Sequence, residues 1–159
     1  MIRYVKGDAT RPAGEEPRII VHVCNDVGGW GAGFVLALSK RWTAPEWQYG
    51  VWYRAKESED GVPFALGQVQ LVQVEDTLWV ANLIGQTGLS WVDGKPPIRY
   101  EAVREGLRRV CEAAKDLDAS VHMPRIGCGL AGGTWEEIGP IVEEELDAAE
   151  VAVTVYDFG

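Results

Sequence analysis

Apolar and polar positions along the chain follow two periods, one typical of strands and one typical of helices. Short runs of β-branched and apolar residues are typical of buried strands, whereas apolar residues three and four positions apart are typical of amphipathic helices. The runs predict strands over residues 2–6, 18–24, 69–74, 78–84, 121–123 and 151–156. The helical spacing predicts helices over residues 34–42, 46–55, 100–117 and 134–150.

The alternation of strands with helices predicts an α/β fold, with a mixed central sheet that has helices on both faces. The segments over residues 69–74 and 78–84 are separated by a short polar turn, which predicts a hairpin. No linker or internal repeat interrupts the pattern, so we predict one domain over residues 1–159. In such folds a ligand binds in a crevice outside the carboxyl ends of the strands.

Two glycine-rich loops each follow a predicted strand and precede a predicted helix. Residues 127–133 hold four glycines in seven positions, and residues 25–33, NDVGGWGAG, form the second loop. Glycine permits positive φ and a close approach of a ligand, and backbone N–H groups before a helix bind phosphate well. Thr134 is a predicted N-cap, followed by Glu136 and Glu137 in the first turn. An ordinary turn between a strand and a helix is the alternative explanation of the glycines.

Charge and cysteine content narrow the classes of function. The formal net charge of −9 argues against an extended surface for duplex DNA, because phosphate backbones are bound by stripes of Lys and Arg. Three cysteines without a CxxC pair favour reduced thiols and a cytoplasmic location. No apolar run approaches the roughly 20 residues of a membrane span, and no secretory signal is recognisable. His22 and His122 are isolated in strand-like runs, so we expect neither a metal nor a cofactor.

Four motifs together resemble the macrodomain family, specifically the branch that contains ALC1-like macrodomains and the terminal ADP-ribose glycohydrolases. The motifs are YVKGDAT, GGWGAGF, MPRIGCGL and VTVYDF, in the expected order over nearly the whole chain. The resemblance implies a three-layer α/β/α sandwich that binds ADP-ribose. It implies ADP-ribose and ADP-ribosylated protein or DNA as partners. Nothing in the sequence indicates a membrane partner or an oligomer, so we expect a monomer.

The resemblance also implies which residues hold the ligand. Asp8 matches a carboxylate that accepts a hydrogen bond from the adenine amino group. The second glycine loop matches the backbone that wraps the distal ribose and a phosphate, and residues 126–130 match a diphosphate-binding loop. Tyr156 and Phe158 match the region where an aromatic ring packs near the adenine, with packing in the last strand as the alternative. The expected ligand-binding residues are Gly7, Asp8, Ala9, Gly31, Ala32, Gly33, Ile126, Gly127, Cys128, Gly129, Leu130, Tyr156 and Phe158.

The chain departs from the terminal glycohydrolases at two positions. Those enzymes use a lysine where this chain has Gln86 and an aspartate where it has Ala131. Glutamine neither forms a Schiff base nor acts as a general base, and alanine has no reactive group, so a mechanism through a lysyl intermediate is not expected. Asp26 is the first candidate for a base that orients water, and Asn25 and Gln86 are candidates for holding that water.

Two functions from different classes remain open. The favoured hypothesis is an ADP-ribosyl hydrolase that removes ADP-ribose from acidic side chains of proteins or from thymidine bases of DNA. The alternative is a non-catalytic reader that binds ADP-ribose without turnover, because a reader needs the same phosphate-binding loops. An ADP-ribose 1″-phosphate phosphatase or an O-acetyl-ADP-ribose deacetylase is a further alternative among enzymes.

Overall fold

The computed structural model describes residues 1–158 and is built on one six-stranded sheet. The strands lie in the order β1-β6-β5-β2-β4-β3. They are β1 (Arg3–Lys6), β2 (Arg18–Asn25), β3 (Val69–Glu75), β4 (Leu78–Gln86), β5 (Ser120–Met123) and β6 (Val153–Asp157). β3 pairs antiparallel with β4, and the other neighbouring strands pair in parallel. The predicted hairpin and the mixed sheet are therefore confirmed.

Helices cover both faces of this sheet. They are α1 (Phe34–Arg41), α2 (Ala44–Ala55), α3 (Tyr100–Leu117) and α4 (Trp135–Val142). Alternate residues of β2 point to opposite faces, because side chains along a strand have a period of two. Ile19 packs in the same core as Leu107 of α3, and Ile20 packs with Leu38 of α1. The three-layer architecture is confirmed, and within residues 1–158 no helix is long and apolar enough to cross a membrane.

The predicted helix over residues 134–150 changes from α to π in its second half and ends at Asp147. α4 ends at Val142, and a π-helical segment, Glu143–Asp147, follows it. The Ala148 N–H donates to the Glu143 carbonyl five residues earlier at 2.8 Å, which is the spacing of a π-helix. The apolar pattern does not distinguish the two helix types, because Leu146 is buried in the core in this arrangement as well. The last strand begins at Val153, two residues after its predicted start.

Both histidines are buried as neutral groups. His22 Nε2 lies 2.5 Å from Asn82 Oδ1, and His122 Nδ1 lies 2.7 Å from the Tyr156 hydroxyl. Because the Asn82 amide donates to two other oxygens, its Oδ1 accepts the hydrogen bond from His22. Burial lowers the pKa of each histidine to about 4, and the positive charge of Arg18 also lowers that of His122.

We expect the free energy of unfolding to fall as the pH falls from about 6.5 towards 4. In this window the unfolded chain binds protons on His22 and His122 that the native protein does not, so stability rises with pH. Each histidine contributes a slope of up to about 1.4 kcal/mol per pH unit. Urea unfolding between pH 7.5 and pH 5.0 measures the slope, and His22→Gln should reduce it. A slope that is the same in His22→Gln and in the unaltered protein would contradict this account.

Candidate ligand-binding groove

Three cavities adjoin one another along the carboxyl ends of the parallel strands. The first, of about 490 Å³, contains Asp8 and is called the Asp8 cavity. The second, of about 230 Å³, lies between residues 32–35 and residues 124–131 and is called the loop cavity. The third, also about 230 Å³, reaches from Asn25 to Leu89 and is called the Gln86 cavity. Phe34 and Pro124 line both of the first two, and Gln86 lines both of the last two. The three cavities therefore form one groove.

The Asp8 cavity offers one free carboxylate oxygen. Asp8 Oδ1 accepts hydrogen bonds from the N–H and the hydroxyl of Thr10, at 2.9 and 2.7 Å, whereas Oδ2 accepts none from residues 1–158. Gly7, Ala9 and Tyr156 also line this cavity. The fixed carboxylate thus presents an acceptor to any ligand that carries an amino group.

The two predicted aromatic residues at the end of the chain have different environments. Tyr156 is buried in β6, and its hydroxyl is held by His122 and by the Ala13 N–H at 3.0 Å. Its ring lies against Gly7, where a Cβ atom would be 3.4 Å from the ring. Phe158 lines the same cavity but is 86% exposed. Tyr156 therefore forms a fixed wall of the Asp8 cavity, and Phe158 lies at the exposed edge of this cavity.

Free backbone donors line the loop cavity. Within residues 1–158 no oxygen accepts a hydrogen bond from the N–H groups of Ile126, Gly127, Gly129, Leu130 and Ala131. Gly127 has φ of +71°, and a Cβ at Gly133 would lie 2.6 Å from the Gly127 carbonyl oxygen, so the loop requires glycine at both positions. Successive unpaired N–H groups form a concave site for an anion.

The helix start that faces this loop is that of α1. Gly33, Phe34 and Val35 line the loop cavity, and α1 has neither a side-chain cap nor an acidic residue in its first turn. The sequence pattern predicts that the start of α4 contributes to an anion site, but the start of α4 does not line the loop cavity. Glu136 and Glu137 occupy the first turn of α4. Thr134 is the N-cap residue of α4, but its side chain makes no capping hydrogen bond. The positive end of α1 therefore supplies the helix contribution to the field.

Asn25 and Gln86 lie side by side at the ends of β2 and β4. The Asn25 side chain is buried and holds its own loop, accepting from the N–H groups of Val27 and Gly29 and from the Tyr49 hydroxyl. Its amide donates to the Gly29 carbonyl at 2.8 Å. Gln86 Nε2 donates to the Gly88 carbonyl at 3.1 Å, whereas its Oε1 accepts nothing from residues 1–158. Gln86 is therefore the candidate that presents a free acceptor to the groove.

Asp26 lies beside the groove rather than in its lining. Its two carboxylate oxygens accept hydrogen bonds from the Thr87 hydroxyl at 2.7 Å and from the Gly88 N–H at 2.8 Å. These bonds tie the loop after β2 to the residues that follow Gln86. The role of Asp26 as a base stays a prediction, and its contacts favour a role in positioning Gln86.

The remaining predicted residues divide between the lining and the interior. Gly31 and Ala32 line the Gln86 cavity. Cys128 does not line the groove; its thiol donates to the Ile126 carbonyl at 3.4 Å, and burial raises its pKa. Ala131 is buried, and its carbonyl accepts a hydrogen bond from the Ile98 N–H. Within residues 1–158 no group of three His, Cys, Asp or Glu side chains is placed to hold a metal ion.

Sequence reasoning missed three residues that shape the groove. Phe34 and Pro124 form the boundary between the Asp8 cavity and the loop cavity, and Leu89 closes the Gln86 cavity. Phe34 belongs to the motif GGWGAGF and Pro124 to the motif MPRIGCGL, so membership of these motifs is the sequence signal for both. Leu89 lies in an irregular loop, and no local pattern marks it.

The fold and the groove define a class of α/β protein that binds a ligand over the carboxyl ends of its parallel strands. No family model matches the chain. A macrodomain protein from Streptomyces coelicolor is similar in structure, with a TM-score of 0.86 and 50% identity over the full length of both chains. A protein of unknown function from Bacteroides thetaiotaomicron has a TM-score of 0.94 and 56% identity over 99% of this chain and 98% of its own. The chain belongs to the macrodomain family.

Characterised relatives match almost all of this chain. Chromodomain-helicase-DNA-binding protein 1-like of Danio rerio is 34% identical over 98% of this chain, which spans 15% of that relative's length. ADP-ribose glycohydrolase OARD1 of Bos taurus is 29% identical over 98% of this chain and 90% of its own length. DNA ADP-ribosyl glycohydrolase of Thermus aquaticus is 28% identical over 99% of this chain and 41% of its own length.

A negative charge introduced at Gly129 should strongly weaken binding of ADP-ribose, the ligand that the family resemblance implies. Gly129 lines the loop cavity, has no φ in the left-handed region, and has no atom within 4 Å of an added Cβ. Gly129→Glu should therefore fold normally and lower the affinity at least ~100-fold, because like charges placed together cost several kcal/mol. Calorimetric titration measures the affinity.

The matched control for this change is Gly129→Gln, which adds nearly the same bulk without the charge. We expect its affinity to fall much less than that of Gly129→Glu, with the same melting temperature for both variants. Equal losses in the two variants would mean that bulk rather than charge is responsible, and would contradict an anion site in this loop.

Proposed function

We propose that this chain is an ADP-ribosyl hydrolase, which binds ADP-ribose in the groove and removes it from modified macromolecules. The observation that carries the proposal is the order in which three chemical environments follow one another along the groove. A fixed carboxylate acceptor lies at one end, unpaired backbone N–H groups lie in the middle, and amide side chains lie at the other end. The names of the relatives, which include an ADP-ribose glycohydrolase and a DNA ADP-ribosyl glycohydrolase, support the same class.

Each part of ADP-ribose has a matching environment. The adenine amino group donates to Asp8 Oδ2, the oxygen that accepts no hydrogen bond from the described chain. The diphosphate lies between the N–H groups of the loop cavity and the start of α1. The distal ribose occupies the Gln86 cavity, beside Gly31 and Ala32. The backbone thus supplies the field that holds a dianion in a protein with a net charge of −9.

The group to which ADP-ribose is attached lies at the mouth of the Gln86 cavity. Leu89 and Leu130 line this cavity and are 61% and 69% exposed, and Trp91 is 58% exposed in the same loop as Leu89. Trp91 also lies against Gly132, so that the loops carrying Leu89 and Leu130 meet there. An exposed apolar rim with the Trp91 ring beside it suits a flat nucleobase better than a carboxyl ester, because bases stack favourably on aromatic rings. The rim therefore favours thymidine over acidic side chains as the attachment point.

The reaction that we propose is hydrolysis at C1″ without a covalent intermediate. A water molecule adds to C1″, the bond from C1″ to the modified group breaks, and the proton of the water goes to the departing group. Gln86 Oε1 holds the water, and Asp26 fixes the segment that carries Gln86. Positioning of this kind can lower a barrier by about 7–11 kcal/mol. A ribose hydroxyl or a phosphate oxygen of the substrate helps to orient the water.

The second candidate function is a reader that binds ADP-ribose without turnover. The observation in its favour is that a buried alanine and a glutamine occupy positions 131 and 86, so no carboxylate or lysine of residues 1–158 lines the distal end of the groove. A reader requires the Asp8 cavity and the loop cavity in the same form. Turnover therefore separates the two functions.

Release of free ADP-ribose from defined substrates tests the proposal. The protein is incubated with a glutamate-linked ADP-ribosylated protein and with an oligonucleotide that carries ADP-ribosyl thymidine. We expect release from the oligonucleotide at a higher kcat/KM than from the protein. Tight binding to both substrates without release would establish the reader, and failure to bind ADP-ribose would exclude both functions.

Removal of the Asp26 carboxylate should lower the rate much more than the affinity. Asp26→Ala removes the two hydrogen bonds that fix Thr87 and Gly88, and misplacement by about 1 Å can reduce a rate ~100-fold. We expect kcat to fall by about 10–100-fold, with a change of less than about threefold in the dissociation constant of ADP-ribose. Single-turnover kinetics and calorimetry measure the two effects, and full activity in Asp26→Ala would refute any role for this carboxylate.

A further inference from the structure

Cationic side chains gather at the Asp8 end of the groove. The Asp8 cavity is lined by Arg11, Lys40 and Arg41. A fourth cavity, of about 730 Å³, adjoins it and shares Gly7, Asp8, Arg11 and Tyr156; it is called the β1 cavity. Arg3 and Lys6 of β1 also line the β1 cavity. In these two cavities five cations face two carboxylates, those of Asp8 and Glu15, although the chain as a whole carries a net charge of −9.

ADP-ribose does not account for these cations. In the proposed function its charged diphosphate lies in the loop cavity, where Arg125 is the one charged lining residue among residues 1–158 and is already paired with Asp157 at 2.7 Å. The adenine and ribose that belong to the Asp8 cavity are neutral. The positive charge therefore lies beyond the part of the ligand that carries negative charge.

Four of these cations also have no ion-pair partner within the described protein. Arg3, Lys6, Arg11 and Lys40 are exposed, and none forms an ion pair with any residue of 1–158. Arg41, by contrast, pairs with Glu75 at 3.5 Å. Arg3, Lys6 and Arg11 all line the β1 cavity, so their charges favour an anionic group bound there.

The β1 cavity is a built feature of the fold. Its floor is the face of β5, β6 and β1 that carries His122, Thr154 and Arg3, which the strand register places side by side. The loop over residues 7–17 forms its wall, held by the hydrogen bond from the Ala13 N–H to the Tyr156 hydroxyl at 3.0 Å. Tyr156 is itself fixed by His122, so this wall and floor are linked by hydrogen bonds.

We propose that the β1 cavity binds a further phosphate, carried as an ester on the ribose of the adenosine in ADP-ribose. Arg11 lies where the two cavities meet, and Lys6 ends β1 directly before Gly7, so both lie next to the proposed adenosine, whereas Arg3 lies on the floor at the start of β1. Guanidinium groups bind phosphate oxygens through paired N–H donors, and Lys6 adds a point charge. The inference rests on the proposed function, because it needs the adenosine in the Asp8 cavity.

Affinities for ADP-ribose and ADP-ribose 2′-phosphate, measured by calorimetry with the whole chain, test this inference. We expect the 2′-phosphate to bind about tenfold tighter at low salt, since hydrogen bonds to charged groups are stronger than neutral ones. The double variant Arg3→Gln, Lys6→Gln should remove most of this preference and leave the affinity for ADP-ribose unchanged. Lys115→Gln, at an exposed position near the end of α3, is the control for the loss of a cation elsewhere.

Each outcome decides a separate point. If ADP-ribose itself does not bind, the proposed function fails together with this inference. If ADP-ribose binds and the 2′-phosphate adds no affinity, or if the double variant keeps the preference, the inference alone is overturned. The third ligand to be measured is a dimer of ADP-ribose linked through the adenosine ribose. If the dimer binds more tightly than ADP-ribose and the 2′-phosphate does not, the β1 cavity binds a longer extension of the ligand. That result would overturn the phosphate site.

Discussion

β2 lies between β4 and β5, and it runs parallel to both. Parallel strands end at the same edge of a sheet, so the chain segments that follow Asn25, Gln86 and Met123 meet there. β1 joins the same edge through its parallel pairing with β6. The groove depends on this alignment, because each of its three cavities is lined by residues from at least two of these segments.

The middle of the groove depends on what the backbone leaves unpaired. Glycine at positions 127 and 133 permits a tight loop in which five N–H groups have no acceptor within the described chain. The uncapped start of α1 lies across from them. Unpaired backbone donors and a helix end create a local positive field beside Arg125, whose charge is paired with Asp157, and this field supports the proposed binding of an anion by an acidic protein. The cationic side chains of β1 are therefore not needed for this field, which is consistent with the separate phosphate site that we propose for them.

Side chains around the distal end of the groove form hydrogen bonds mainly with the loops beside them, and these bonds hold the loops in place. Asn25 holds the second glycine loop, residues 25–33, and Asp26 joins that loop to Thr87 and Gly88. This network leaves the Gln86 Oε1 as the free polar acceptor beside the expected position of C1″. In the proposed reaction, catalysis at this end relies on the placement of water rather than on a strong base, because within residues 1–158 neither a lysine nor a carboxylate lines the Gln86 cavity.

The sequence by itself determined the order of the strands and helices along the chain, the hairpin, and the two glycine-rich loops that follow strands. Periodicity and turn chemistry are local, so they can be recognised without the fold. The tertiary structure decided that α1 rather than α4 faces the phosphate loop and that Ala131 is a buried position. It also decided that Asp26 bonds to Thr87, 61 residues away. These features depend on which distant segments pack together, and apolar spacing carries no information about hydrogen-bond partners brought together by the sheet.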